Sequence, residues 1–142
     1  MFLLLLIVNK NGSLIYDKKL TDKLSLNSND LIQISAIFYS MHAISAKLTT
    51  NLSSNKKTEL NITNDGIEII EAGSVKLLCH QTLTKLKFIF VIDYQSSEYD
   101  SIVMFKKIYN IYTDIVSKNP FYELDMPIRI EEFDNEINNL FA

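Results

Sequence analysis

Residues 2–18, FLLLLIVNKNGSLIYDK, decide the architecture. The run from Phe2 to Val8 is apolar without interruption, whereas a strand with one wet face alternates apolar and polar side chains. It breaks at Asn9-Lys10-Asn11-Gly12, and Asn-Gly between apolar runs is the strongest short hairpin signal. The stretch therefore predicts a strand over residues 2–9 buried on both faces, turning into a second strand over residues 13–18. A strand of that kind needs a layer of packing above the sheet and another below it.

Working outward, a second unbroken apolar run, Phe88 to Ile92, asks for the same mid-sheet position. It sits in a series of three strand-like segments, residues 66–71, 75–82 and 86–93. Ala72-Gly73-Ser74 and Leu83-Thr84-Lys85 are short enough links to make these a meander. Helical patterns supply the covering layers. Asn27-Ser28-Asn29-Asp30 is a cluster of good N-cap residues before a helix over residues 30–48. Ser97 with Asp100 forms a capping box that opens a second helix, and Asn119-Pro120 closes it. In that helix Ile102, Phe105, Ile108, Tyr109, Ile111, Tyr112, Ile115 and Val116 occupy one half of the cylinder. A third, short helix runs over residues 131–140 with Phe133, Ile137 and Leu140 on one side. Residues 49–65, dense in Asn, Ser, Thr and Lys, read as a long loop or frayed helix end. The expected fold is a single α+β domain over residues 1–142, with a five-stranded, mainly antiparallel sheet, one helix on one face and two on the other.

Composition narrows the function. The chain has 142 residues, 47% hydrophobic and 22% charged, which suits one self-sufficient globular domain. A net charge of −3 and one arginine among the fourteen basic residues argue against nucleic acid as a partner. A lone cysteine, Cys79, fits a reducing compartment. The opening apolar run lacks the basic residues before it and the small-residue site after it that an export signal needs, and it is too short to span a bilayer. Residues 31–48 carry Gln33, His42, Lys47 and three serines, so they also make a poor span. The expectation is a cytoplasmic protein without a transmembrane segment.

Chemistry is not legible. Cys79 and His80, adjacent on a strand, point to opposite faces and cannot ligate one metal together. His42 has no carboxylate or cysteine one helical turn away, which leaves it a surface or core residue and not a ligand or base. Three glycines cannot build a phosphate-cradling loop. Glu131, Glu132, Asp134 and Glu136 open a helix, where they complement its dipole. Phe105, Tyr109 and Tyr112 read as core. No catalytic, cofactor-binding or metal-binding residue is assigned.

The first helix is the exception to this plainness. One stripe, Leu31, Ile34, Phe38, Met41 and Leu48 with Ile37 and Ile44, is expected to bind the sheet. A second, Ile32, Ala36, Tyr39, Ala43 and Ala46, lies on roughly the opposite side with helical spacing. Lys47 is the single charge between Leu31 and Thr50. A helix apolar on two sides is buried on two sides, so the second stripe is expected to meet a partner protein; the competing expectation is that the loop over residues 49–65 folds onto it.

SAIFYSMHAISAKLT from Ser35, CHQTLTKLKF over 79–88, VNKNGSLIY over 8–16 and above all KNPFYELDMPIR over 118–129 resemble the sybindin-like subunits of the TRAPP tethering complex. The resemblance implies a longin-like fold and a non-catalytic subunit acting in endoplasmic-reticulum-to-Golgi transport. Its implied partners are other TRAPP subunits, both longin-type and Bet3-like, and a Rab GTPase through the nucleotide-exchange activity of the assembled complex. It implies membrane association, peripheral to the endoplasmic reticulum and Golgi, only through the complex. The assembly residues it marks are Lys118, Asn119, Pro120, Phe121, Tyr122, Glu123, Met126, Pro127 and Arg129. Two features depart from the family pattern: Lys85 stands where a glycine is common, which predicts a wider hairpin, and Ser13 replaces a second glycine. The insertions of animal and fungal members are also missing. Within 118–129 the residues themselves predict that Phe121, Leu124, Met126 and Ile128 anchor the segment on the core. Arg129 is expected to fork onto a carboxylate of this chain or of a neighbouring subunit. The readings this resemblance displaces are another longin-type module, such as an adaptor small chain or a SNARE-regulatory domain, and a free-standing profilin-like binding protein.

Overall fold

The two most apolar runs of the chain lie side by side at the centre of one sheet. The computed structural model describes residues 2–22, 24–53 and 69–141. In chain order its elements are β1 (Phe2–Val8), β2 (Leu14–Lys19), α1 (Ser28–Ser53), β3 (Ile69–Ala72), β4 (Val75–Gln81), β5 (Lys87–Asp93), α2 (Glu98–Ile111), a π-helical turn (Tyr112–Ser117) and α3 (Glu131–Phe141). The strands order β2-β1-β5-β4-β3, every pair antiparallel. This is the predicted α+β arrangement. Residues 54–68, which hold most of the predicted polar loop and the start of the third predicted strand, lie outside the described residues.

Alternation along the strands sorts the core into two layers. Leu5, Ile7, Phe88, Phe90 and Ile92 face α2, the π-helical turn and α3, where Ile108, Tyr112, Val116, Phe133 and Ile137 complete a buried cluster. Leu4, Leu6, Val8, Ile89 and Val91 face α1 and meet Leu31 and Phe38. Cys79 joins the α1 layer, whereas the ring of His80 stacks on Phe105 in the other, so adjacent residues do diverge as the strand period requires.

The turns carry their own chemistry. Asn9 Oδ1 accepts from the amides of Asn11 (3.0 Å) and Ser13 (2.8 Å), closing the β1–β2 hairpin, while Gly12 takes φ +89°. The β4–β5 link is not widened by Lys85. Lys85 N donates to Thr82 O and Thr82 N to Leu86 O, a tight loop in which Lys85 itself adopts φ 69°. The glycine geometry is kept without the glycine, at a cost of about 1–2 kcal/mol for a Cβ in the left-handed region.

Both predicted helix starts form. Asn27 and Asp30 cap α1 reciprocally: Asp30 N donates to Asn27 Oδ1 (2.9 Å) and Asn27 N to Asp30 Oδ2 (3.1 Å). Ser97 Oγ accepts from Tyr99 N at the start of α2. The second helix is not α-helical to its end, since its last turns widen to π geometry before Asn119.

Candidate interaction surface

Helix α1 spends little of its apolar character on the sheet. Its buried spine is Leu31, Ser35, Phe38 and His42, at spacings of four, three and four residues, with Ile34 half-buried beside it. The two polar members are accommodated: Ser35 Oγ donates to Ile32 O (2.8 Å), and the His42 ring lies 6.2 Å from that of Phe38. A spine this narrow corrects the expected core stripe, because Ile37, Met41, Ile44 and Leu48 face solvent. They repeat at the same spacing along one flank. Of the other predicted stripe, Ile32, Ala36 and Ala43 are exposed, while Tyr39 and Ala46 are half-buried.

Tyr39 is engaged inside the domain. Its hydroxyl donates to Lys10 O (3.1 Å), and its ring lies against Gly12, where an added Cβ would come within 2.7 Å of Cδ1. The same ring is 5.1 Å from the Lys87 ammonium, which also donates to Lys85 O (3.4 Å). Burial pushes that ammonium below lysine's ordinary pKa. Tyr39 thus fastens the middle of α1 to the β1–β2 hairpin, and Ile32, Ala36 and Ala43 are what its stripe leaves exposed. The outer surface of α1 carries apolar flanks on either side of Gln33, Ser40 and Lys47.

The segment between the π-helical turn and α3 is the second place where the structure departs from expectation. Of the four apolar residues expected to anchor it, only Ile128 is buried; Phe121 is 91% and Leu124 85% exposed, and Met126 is exposed as well. The segment holds itself. Phe121 N donates to Asn119 Oδ1 (2.9 Å), Tyr122 N to Asn119 O, Met126 N to Glu123 O, and Tyr122 Oη to Met126 O (2.7 Å). Asp125 turns the chain with φ 68°. Self-contained turns of this kind present Phe121 and Leu124 to water instead of needing them inside. Asn119, Phe121, Tyr122, Met126, Pro127, Arg129 and Ile130 line an open depression of about 430 Å³. Lys118 pairs with Asp114 (3.2 Å) on the surface, whereas Pro120, Glu123 and Arg129 are exposed. Arg129 forms no ion pair among the described residues.

Tyr16 links this end of the molecule to β2. Its hydroxyl donates to Asp134 Oδ1 (2.7 Å), and its ring meets Phe133 edge-on at 4.9 Å. Burial, reinforced by the carboxylate, holds the phenol neutral well above tyrosine's ordinary pKa. Among the described residues no cluster of three or more metal-ligating side chains forms, and no helix is long and apolar enough to cross a membrane. Among the described residues, apolar side chains are exposed on the outer face of α1, at the tip of 119–127, at Leu83 and on α2, where Tyr99, Ile102, Val103 and Tyr109 reach solvent, so the burial expected of Ile102 and Tyr109 is only partial.

The model of the Sybindin-like family matches residues 2–142. The chain belongs to that family. Among Sybindin-like relatives, a Dictyostelium discoideum protein named trafficking protein particle complex subunit 4 is 36% identical, covering 96% of this chain and 93% of its own length. The Homo sapiens protein of the same name is 39% identical over 79% of this chain. The chain spans only 46% of that human protein. In three dimensions the Sybindin-like domain is similar to Myxococcus xanthus MglB, with a TM-score of 0.56 and 16% identity over 79% of this chain and 80% of that one, which shows a shared longin-like fold and no more.

Proposed function

We propose that the chain is a non-catalytic core subunit of a TRAPP-like vesicle-tethering complex in endoplasmic-reticulum-to-Golgi transport, contributing to a Rab guanine-nucleotide exchange assembly. The observation that carries this reading is the near-full-length match to a relative named as subunit 4 of that particle, since a match end to end transfers the whole domain and not a shared module. The surface supports it. A subunit held on two sides needs two separate apolar areas, and the outer face of α1 and the tip at Phe121 and Leu124 are separate. In this reading Ile37, Met41, Ile44 and Leu48, with Ile32, Ala36 and Ala43, meet one neighbouring subunit, and Arg129 forks onto a carboxylate of another.

Purifying the tagged chain from its own cells and identifying the proteins that come with it tests the reading. Other TRAPP subunits are the expected companions. A second assay follows the release of a fluorescent guanine nucleotide from a Rab. The isolated chain is expected to leave the release rate at its spontaneous value, and only the assembled complex to raise it. Acceleration by the chain alone, or recovery without any TRAPP subunit, overturns the proposal.

A further inference from the structure

Strand β2 closes one end of the sheet, and its outer edge borders an open groove of about 530 Å³. Leu20 N donates to Leu3 O, which fixes the phase of the ladder: Lys18 and Tyr16 turn their backbone groups toward β1, and Lys19, Asp17 and Ile15 turn theirs outward. Among the described residues one outward group is taken by the backbone of the chain itself. Ile128 N donates to Ile15 O at 2.7 Å, so residues 127–129 already lie against this edge as a rudiment of a neighbouring strand. The outward amide and carbonyl of Asp17 have no backbone partner among the described residues.

The groove beside this edge is lined by the apolar residues Leu14, Ile32, Pro127 and Ile128. Three carboxylates also line it, Asp17, Glu131 and Asp134, the last already accepting from Tyr16 Oη, against one guanidinium, Arg129. Lys19 does not redress the balance, because its ammonium is turned away to Leu26 O. Free edge groups select an extended backbone, the apolar lining selects alternate apolar side chains, and the acidic lining selects basic residues between them. We propose that this edge groove binds an extended segment of a partner protein, alternating apolar and basic residues, which pairs with β2 at Asp17 as a short sixth strand. The groove shares Ile32 and Arg129 with the surfaces assigned above to neighbouring subunits, so the test uses the isolated chain, where peptide binding is read apart from assembly.

The probe is a short fluorescent peptide alternating lysine and valine, titrated against the full chain, with two controls: the glutamate–valine counterpart, and the lysine–valine peptide methylated on its backbone nitrogens. Saturable binding of the first alone is expected, with slowed hydrogen exchange at the Asp17 amide. Asp17→Lys should weaken binding by about tenfold or more without moving the melting temperature, and Glu131→Lys, made separately, should weaken it as much while lowering the melting temperature slightly, because it also loses its place at the start of α3. Equal binding of the glutamate peptide removes the charge argument, and equal binding of the methylated peptide removes the strand pairing. Either result overturns the proposal, as does the absence of saturable binding. Protection of Asp17 that grows with protein concentration in the absence of peptide, with a dimer in sedimentation, assigns the edge to a second copy and also overturns it.

Discussion

The two faces of the sheet are closed to different degrees. On one side α2, the π-helical turn and α3 bury Ile108, Tyr112, Val116, Phe133 and Ile137 completely or nearly so. On the other a single helix of 26 residues buries Leu31 and Phe38 as its large apolar side chains and leaves Ile32, Ile37, Met41, Ile44 and Leu48 in water. Both faces of the sheet carry a buried apolar cluster, so the asymmetry belongs to the covering layers. The α2–α3 layer completes its inner side within the chain and contributes stability there, although Tyr99, Ile102, Val103 and Tyr109 keep exposed apolar surface on α2. The outer side of α1 is the larger apolar area left uncovered, and it contributes only when something covers it.

The largest expected effect lies in the finished layer. Phe133→Ala removes a fully buried ring that packs edge-on against Tyr16, and should lower stability by about 3–5 kcal/mol in denaturant melts. A loss under about 1 kcal/mol would mean that α3 is dispensable to the fold, and the contrast between the faces would collapse. Next comes the fastening of the open layer. Gly12→Ala places a methyl at φ +89° and 2.7 Å from the Tyr39 ring, and should cost about 1–3 kcal/mol. Tyr39→Ala in the same background should absorb part of that cost, because the ring that clashes is gone; strict additivity of the two changes would show that Tyr39 does not hold the hairpin.

A calibration away from both faces is available at the β4–β5 turn. Lys85→Gly relieves a left-handed residue and should raise stability by about 1 kcal/mol, read as an increase in melting temperature. No increase would mean that the turn relaxes to another conformation in solution. The smallest effect on the fold is expected on the outer face of α1. Ile44→Glu should change the stability of the isolated chain by less than about 0.5 kcal/mol, yet abolish recovery of the neighbouring subunit in co-purification. Unchanged recovery with unchanged stability would show that this face meets no partner, and the asymmetry would then need another cause.

The sheet was readable in advance because its signals are local and redundant. Two unbroken apolar runs, an Asn-Gly turn and short links between strands each point to the same five strands, and the boundaries shift by only a few residues. Helix α1 was readable as a helix but not in its orientation. Its apolar residues populate two stripes, and the sheet accepted a spine that includes Ser35 and His42 instead of the larger side chains at 37, 41, 44 and 48. Nothing in the spacing distinguishes those choices, because both sets of residues repeat at intervals of four, three and four along the helix. The segment 118–129 fails for a different reason. Irregular backbone has no period, so side-chain type is the one local signal of burial there, and the internal turns made by Asn119 and Tyr122 remove the need for it. The groove beside β2 could not be foreseen at all, since Asp17, Ile32 and Glu131 come together only through the topology.

That topology also has a consequence during synthesis. Of these five strands, the earliest to leave the ribosome is the second from the edge of the finished sheet, and its inner neighbour comes late: Val8 pairs with Lys87. At the usual pace of translation the ladder side of Phe2–Val8 waits roughly 4–16 s for a partner. The early β1–β2 hairpin can shield only the opposite ladder, and both faces of its first strand are apolar. In that interval the nascent chain presents a flat, greasy, unpaired edge, the form most prone to join another copy of itself on the same messenger. A chaperone that grips extended apolar peptides should therefore be found on nascent chains carrying this segment until residue 93 has emerged.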